Sequence, residues 1–177
     1  MVVKNNYHWL DDSEHIGFIA NGDIASIERI NNVQELYGFK FADAHLRFID
    51  YPKTLPVEAK ILLNTLNEDQ PSLSKEQNQV LFNAVMEDYM HIRSKKERLE
   101  MIKKDPYYNA LQVKFAYALT CHKAQGGQWK SVFIDQGYLT EELVDRSYLR
   151  WLYTAVTRAE ESLCFVNFHP NFFEDEA

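Results

Sequence analysis

The chain has 177 residues, of which 46% are hydrophobic, and a net charge of −7 from 19 Lys and Arg against 26 Asp and Glu. This composition is typical of a globular protein and excludes the disordered, collagen-like and disulfide-scaffold classes, while the length predicts one domain or two small ones. The negative charge excludes a general basic surface for nucleic acid, so any such site is expected to be local. The chain has 2 cysteines, no signal peptide pattern and no apolar run near the ~18 to 20 residues that cross a bilayer, so a cytoplasmic protein without a membrane role is expected.

The charge is unevenly distributed along the chain. Residues 1–70 carry 11 acidic and 6 basic side chains, whereas residues 111–134 contain three lysines and no carboxylate. A basic cluster precedes this window: Arg93, Lys95, Lys96, Arg98, Lys103 and Lys104. An anionic ligand would be drawn to this middle part, although the cluster is also explained by a solvated helix face on which Glu97 and Glu100 partner the lysines.

The first 51 residues contain short runs rich in β-branched and aromatic side chains. These runs are residues 16–20, 24–30, 35–41 and 45–51. Turn-forming residues separate them at Asn21-Gly22-Asp23, Asn31-Asn32 and residues 41–43, and Asn-Gly tolerates the positive φ of tight turns. The pattern predicts a small antiparallel sheet or barrel.

Helical patterns follow this region. The apolar spacing over residues 57–66 predicts a short helix. Ser74 with Gln77 forms a capping-box pattern, and the apolar stripe after it predicts one long helix to about Met101. Asp105-Pro106 ends this helix, because proline disfavours a helical conformation at the preceding residue.

Strands and helices alternate in the last third of the chain. Strands are predicted at residues 113–119, 131–135 and 162–167, a short turn or helix at residues 120–125 and a helix at residues 142–160. Nearly all-apolar strands alternating with helices are typical of a parallel sheet that is covered on both faces, which gives an α/β fold class. The six histidines and two cysteines are dispersed, so no metal site is expected.

Two segments concentrate polar chemistry: TCHKAQGGQW at residues 120–129 and WLYTAVTRA at residues 151–159. Ligands of open α/β sheets bind at the carboxyl ends of strands, and Gly126-Gly127 would let the backbone approach a phosphate. A plain turn is the alternative explanation of the glycine pair. It does not explain five donor side chains in nine positions: Thr120, His122, Lys123, Gln125 and Gln128.

These two segments resemble motifs V and VI of superfamily 1 DNA helicases, above all RecD-like and UvrD-like members, in sequence, order and spacing. The resemblance covers about residues 111–168, and FIANGDIASI at residues 18–27 resembles an upstream segment of RecD-like proteins. In that family two RecA-like domains close on ATP while single-stranded DNA runs across their top. The resemblance implies a second (2A-type) RecA-like motor domain at residues 111–177, a helical segment at residues 54–110 and an inserted SH3-like (2B-type) barrel within residues 1–53.

The resemblance also implies site residues. Arg158 would be the catalytic arginine finger that reaches the γ-phosphate from the second domain, and such a guanidinium stabilises the charge of phosphoryl transfer. The alternative is that Arg158 only pairs with Glu160, Glu161 or the helix carboxyl terminus. Thr120 and His122 would bind the DNA strand.

The remaining implied contacts lie in the same turn. Lys123 would serve DNA, nucleotide or neither, and Gln125 and Gly126 would border the nucleotide phosphates. Gln128 occupies a position where many relatives have a ribose-binding Glu, and its amide lacks the charge. Trp129 either stacks on a base or packs as core, and Trp151 is expected in the core.

Two absences bear on activity. The sequence contains no G-x-x-x-x-G-K-[ST] phosphate loop and no evident Asp-Glu metal-binding strand, so this chain alone is expected not to hydrolyse ATP. ATP and Mg²⁺ would be bound mainly by an amino-terminal motor domain of the same protein. The sequence therefore predicts the carboxyl-terminal part of an ATP-dependent helicase that tracks single-stranded DNA in repair or recombination.

Alternatives to this function also follow from the sequence. The chain could be a free-standing, non-catalytic module that binds single-stranded nucleic acid or a repair protein, and its motifs do not distinguish DNA from RNA. The barrel would bind a repair or replication protein or serve structure alone, because the acidity of residues 1–70 disfavours a broad DNA surface.

Overall fold

The structure, a computed structural model, describes residues 1–10, 17–52, 56–140 and 143–173. The chain divides into two compact units, Met1–Tyr117 and Ala118–Ala177. No helix among the described residues is long and apolar enough to cross a membrane. The three-part domain division inferred from the resemblance stays a prediction.

The first unit is built on a four-stranded sheet in the order β1-β2-β3-β4. Its strands are β1 (Ala25–Leu36), β2 (Phe39–Phe48), β3 (Val57–Leu62) and β4 (Leu111–Gln112). β2 pairs antiparallel with β1 and β3, and β4 runs parallel to β3. The antiparallel part of the prediction is confirmed. The four strands form an open sheet, and no barrel closure is present among the residues that the structure describes.

The turn between β1 and β2 lies at Tyr37 and Gly38, whose φ angles are 57° and 76°. Two positive φ angles suit the right-handed twist of a two-residue hairpin. The turns predicted at Asn31-Asn32 and at residues 41–43 are wrong. Asn32 has a φ of 47° but lies at an irregularity within β1, and residues 41–43 lie inside β2. Asparagine tolerates positive φ in a bulge as well as in a turn, which explains the first error.

Residues 57–62 form strand β3, so the short helix predicted over residues 57–66 is wrong over most of its length. β3 lies between β2 and β4 and is almost wholly buried. Apolar residues of a central strand and of a buried helix give the same short pattern, so sequence spacing did not separate them. Only the four-residue α1 (Asn64–Asn67) follows.

Two helices replace the predicted long one: α2 (Lys75–Asp88) and α3 (Lys95–Lys104). The chain leaves the helical conformation after Asp88, and Ser94 begins α3 by accepting from the backbone N–H of Glu97. A new N-cap side chain offers the backbone an alternative to continuing the helix. The predicted end before Pro106 is confirmed, because α3 stops at Lys104.

The predicted capping box of α2 is confirmed. Ser74 Oγ accepts from the Gln77 backbone N–H at 3.2 Å, and Gln77 Oε1 accepts from the Ser74 backbone N–H at 2.8 Å. We expect Ser74→Ala to lower the free energy of unfolding by about 1 kcal/mol, because it leaves a helix N–H unpaired. Denaturant unfolding measures this change. Ser72→Ala is the matched control, expected within about 0.5 kcal/mol of wild type, and an equal loss in both variants would contradict the assignment.

Apolar side chains cover both faces of this sheet. One cluster contains Ala42, Ala44, Leu46 and Phe48 of β2, and the other packs Phe41 and Leu62 against Leu81, Val85 and Ile102 of α2 and α3. Lys60 of β3 is only 6% exposed, and it is paired with Asp43 and lies 4.5 Å from the centre of the Tyr107 ring. A buried ammonium needs such a partner, because desolvation is otherwise costly.

The second unit contains β5 (Trp129–Asp135), α4 (Arg146–Val156) and β6 (Ala159–Val166), followed by a short 3-10 helix. β5 and β6 are parallel neighbours, which confirms the predicted strand-helix-strand order and a mixed α/β class. The helix predicted over residues 142–160 is shorter than expected, because Asp145 caps it through the Tyr148 backbone N–H. Glu142 lies outside the described residues.

Two predictions about the second half of the chain are wrong. The strand expected at residues 113–119 is absent: β4 ends at Gln112, Val113 makes one isolated bridge to Val2, and residues 114–119 are not in a strand. The parallel pair is also not covered on both faces by the described residues. Phe133 of β5 is 72% exposed, whereas Ile134, on the opposite face, is buried.

Candidate functional site

The segment between residues 120 and 127 is a series of overlapping turns, which confirms the predicted turn. The backbone N–H groups of Lys123 and Ala124 donate to the Thr120 carbonyl at 2.9 and 3.1 Å, and the Gly127 N–H donates to the Ala124 carbonyl at 3.2 Å. This compact backbone leaves the predicted ligand-binding residues at the surface. The exposed residues are Thr120, His122, Lys123, Gln125, Gly126 and Gln128.

The two glycines of this turn serve different purposes. Gly126 has a φ of +86°, a conformation that side-chain-bearing residues rarely adopt, and nothing lies within 4 Å of the position a Cβ would take. Gly127 lies under the indole of Trp129, and a Cβ there would be 2.3 Å from Trp129 Cη2. Trp129 therefore packs on its own turn, although 37% of it remains exposed. This contact explains why a glycine is needed at position 127.

Arg158 joins the two sequence segments. It follows α4, and its Nη1 donates to the Gly127 carbonyl at 3.1 Å. Its Nε donates to the Thr154 carbonyl and its Nη2 to Thr157 Oγ1, each at 3.1 Å. The Trp129 N–H donates in turn to the Arg158 carbonyl at 2.9 Å. The guanidinium is thus oriented from three sides.

The charge of Arg158 is not neutralised by a described carboxylate. Within residues 1–10, 17–52, 56–140 and 143–173 it takes part in no ion pair, and Glu161, one of the partners considered from the sequence, pairs with Lys130 at 3.5 Å. The sequence also left open that Arg158 contacts the carboxyl end of its helix, and the hydrogen bond from its Nε to the Thr154 carbonyl agrees with that contact. A guanidinium that is fixed by neutral acceptors keeps its charge available to an anion.

Cys121, Thr154 and Thr157 are site residues that the sequence analysis missed. The Cys121 thiol donates to the Trp151 carbonyl at 3.5 Å, and burial raises its pKa while the nearby Arg158 charge opposes that rise. The two threonines supply acceptors to Arg158 from one and four positions before it. The available signal was the spacing of these threonines, one and four positions before an arginine that follows the end of a helix. Trp151, expected in the core, is half-buried.

The donor set of this site suits an anion. It combines an oriented guanidinium, an exposed lysine and exposed amides, which can donate to phosphate oxygens. Among the described residues, no group of three His, Cys, Asp or Glu side chains is placed to hold a metal ion. The chemistry of these side chains therefore suits an anionic group.

Comparison with known families identifies the segment. The family model of the UvrD-like helicase C-terminal domain matches residues 115–166, which include the turn, α4 and Arg158. No curated protein matches the chain. This match covers both segments that carry the resemblance, so residues 115–166 are similar to the UvrD-like helicase C-terminal domain.

Proposed function

We propose that this chain is part of an ATP-dependent DNA helicase that translocates on single-stranded DNA, and that Arg158 is its arginine finger. The observation that carries the proposal is the fixation of the Arg158 guanidinium by Gly127 and Thr154 carbonyls without a described carboxylate partner. The family match supports the helicase context. Residues 111–177 would then form the second RecA-like motor domain.

In this proposal the residues divide between two ligands. Arg158 donates to the γ-phosphate as charge develops during phosphoryl transfer to water, and Gln125, Gly126 and Gln128 border the nucleotide. Thr120, His122 and Lys123 contact the DNA strand. ATP and Mg²⁺ are held mainly by an amino-terminal motor domain of the same protein, which supplies the phosphate loop.

The Gly127 carbonyl links the proposed DNA-binding turn to the proposed arginine finger. This carbonyl accepts from Arg158 Nη1. It belongs to the same turn as Thr120, His122 and Lys123, to which the proposal assigns the DNA contacts. A shift of the turn on DNA binding would change the position of the guanidinium. This bond is therefore the proposed route by which DNA stimulates ATP hydrolysis.

The native protein tests the proposal directly. An antibody raised against the purified 20.8 kDa chain is used to isolate the protein from its source cells, and its mass and DNA-stimulated ATP hydrolysis are measured. We expect a much larger protein with activity that depends on single-stranded DNA. A protein near 21 kDa without such activity would contradict the helicase and favour the non-catalytic binding module.

His122 is expected to couple DNA to turnover. In the native protein, His122→Ala should reduce the stimulation of ATP hydrolysis by DNA by about tenfold while the KM for ATP stays near wild type, because the side chain is assigned to the strand. Steady-state ATPase assays with and without (dT)20 measure this. His91→Ala, which removes another exposed histidine, is the control, and equal stimulation in wild type and His122→Ala would remove His122 from the DNA contact.

A further inference from the structure

The first unit contains a cavity that the proposed function does not use. Its volume is about 580 Å³, within the range of about 300–1,000 Å³ that is typical of ligand sites. Residues that line it are Lys40, Leu63, Asn64, Leu66, Asn67, Glu68 and Phe115. All belong to the unit Met1–Tyr117.

An exposed aromatic pair stands at this cavity. Phe115 lines it and is 57% exposed, and its ring stacks on Tyr117 with centroids 5.5 Å apart and an interplanar angle of 14°. Tyr117 is 92% exposed. The pair leaves flat aromatic surface exposed to water, and a nucleic-acid base is flat and stacks on such rings whatever its identity.

The rim of the cavity offers donors for the polar parts of a nucleotide. Asn64 Oδ1 accepts from the Lys40 backbone N–H at 2.7 Å, which leaves its amide N–H groups to donate. Asn67 is exposed and makes no side-chain hydrogen bond within the described part of the chain. The ammonium of Lys40 is also exposed, and it can approach a phosphate.

The charge near the cavity fits a polyanion despite one acidic residue. Glu68 is the single carboxylate among the lining residues that the structure describes, and its Oε1 accepts from Gln77 Nε2 at 2.9 Å. Its backbone carbonyl accepts from Lys114 Nζ, so a second ammonium lies next to a residue that lines the cavity. Residues 111–134 contain no carboxylate, so nothing in that segment repels a phosphate.

We propose that this cavity and the Phe115–Tyr117 pair bind an unpaired base of single-stranded nucleic acid. The base stacks on the aromatic pair, the Asn64 and Asn67 amides donate to its edge, and Lys40 contacts the adjacent phosphate. This inference rests on the proposed function only in taking a single strand as the ligand. The Phe115–Tyr117 pair lies at the amino-terminal edge of the stretch that the UvrD-like family model matches, and the other residues that line the cavity lie outside that stretch.

Binding of labelled oligonucleotides to the 177-residue chain tests the inference. The probes are 5′-fluorescein-(dT)12 and a strand of equal length in which abasic sites replace the thymines, both measured by fluorescence anisotropy. Phe115→Leu/Tyr117→Leu is expected to raise the Kd for (dT)12 by about 5- to 150-fold, the range of one lost base stack, and to leave binding of the abasic strand unchanged.

A matched control separates stacking from general effects. Tyr7→Leu removes another exposed tyrosine that stacks on a phenylalanine, Phe18, in the same unit but outside the cavity, and it should leave the Kd unchanged. A strand that carries one 2-aminopurine gives a readout on the wild-type chain, since stacking on the rings quenches its fluorescence. Lack of quenching on binding would overturn the inference without any variant.

The other outcomes are also decisive. Equal Kd values for wild type and the double variant would overturn the cavity site, and weaker binding by Thr120→Ala or His122→Ala alone would leave the proposed function standing. No binding of (dT)12 by the wild-type chain would also overturn the cavity site. The ATPase assay on the native protein would then test the proposed helicase function independently. Full displacement of the strand by equimolar AMP would identify a mononucleotide site instead.

Discussion

Arg158→Ala in the native protein is expected to lower DNA-stimulated ATP hydrolysis by about 10³- to 10⁵-fold, the effect of losing an arginine finger. The guanidinium is oriented by Gly127 and Thr154 carbonyls and has no described carboxylate partner, so its charge is placed for an anion. Binding of single-stranded DNA should stay near wild type, because the assigned DNA contacts lie on other residues. Steady-state ATPase and anisotropy assays measure the two effects separately.

Two controls distinguish catalysis from stability at this position. Arg158→Lys keeps the charge but loses the planar fork, and it should recover only a small part of the activity. Thr157→Val removes one acceptor of Arg158 and keeps the guanidinium, so its loss should be far smaller. Near-normal ATP hydrolysis in Arg158→Ala would reject the arginine finger, and a parallel loss of thermal stability would assign the residue to structure.

Phe41→Ala is expected to lower the free energy of unfolding of the first unit by about 3–5 kcal/mol. Phe41 is 0% exposed, lies in β2 and packs against Tyr107 with ring centroids 5.2 Å apart. The substitution leaves a cavity between the sheet and the helices, and the packed neighbours fill it only in part. Urea unfolding followed by far-ultraviolet circular dichroism measures the change.

Phe115→Ala is the matched control for this loss. Its ring is 57% exposed, so we expect a change within about 0.5 kcal/mol. The same measurement shows whether a Phe115 variant is folded well enough for the oligonucleotide assay. A large loss at Phe115 together with a small one at Phe41 would contradict the burial described for both residues.

Local sequence signals predicted the structural elements that depend only on residues close together in the sequence. The capping box of Ser74 and Gln77 and the stop before Pro106 involve groups within a few residues of one another, so they were predicted correctly. The parallel strands β5 and β6 were also predicted, because short apolar runs bounded by polar residues stand on either side of a segment with helical periodicity. An error arose at Asn32, because asparagine adopts a positive φ both in turns and at irregularities within a strand, and the sequence does not distinguish the two.

The sequence predicted which segments form the candidate site, but it did not predict the contacts between them. The sequence singled out Arg158 and the turn at residues 120–129, and the family match at residues 115–166 supports the resemblance that they carry. It did not predict that Trp129 covers Gly127 or that Thr154 and Thr157 orient the guanidinium. The roles assigned to the individual site residues stay predictions.

The sequence by itself determined the α/β class of the last third of the chain, the cap of α2 and the two helicase-like segments, because these depend on short-range order. Only the tertiary structure decided that residues 57–62 are a central strand, that the sheet is open, and that Arg158 meets Gly127. The physical reason is that strand pairing and a side-chain contact across 31 positions are set by the packing of distant segments, which local propensity does not encode.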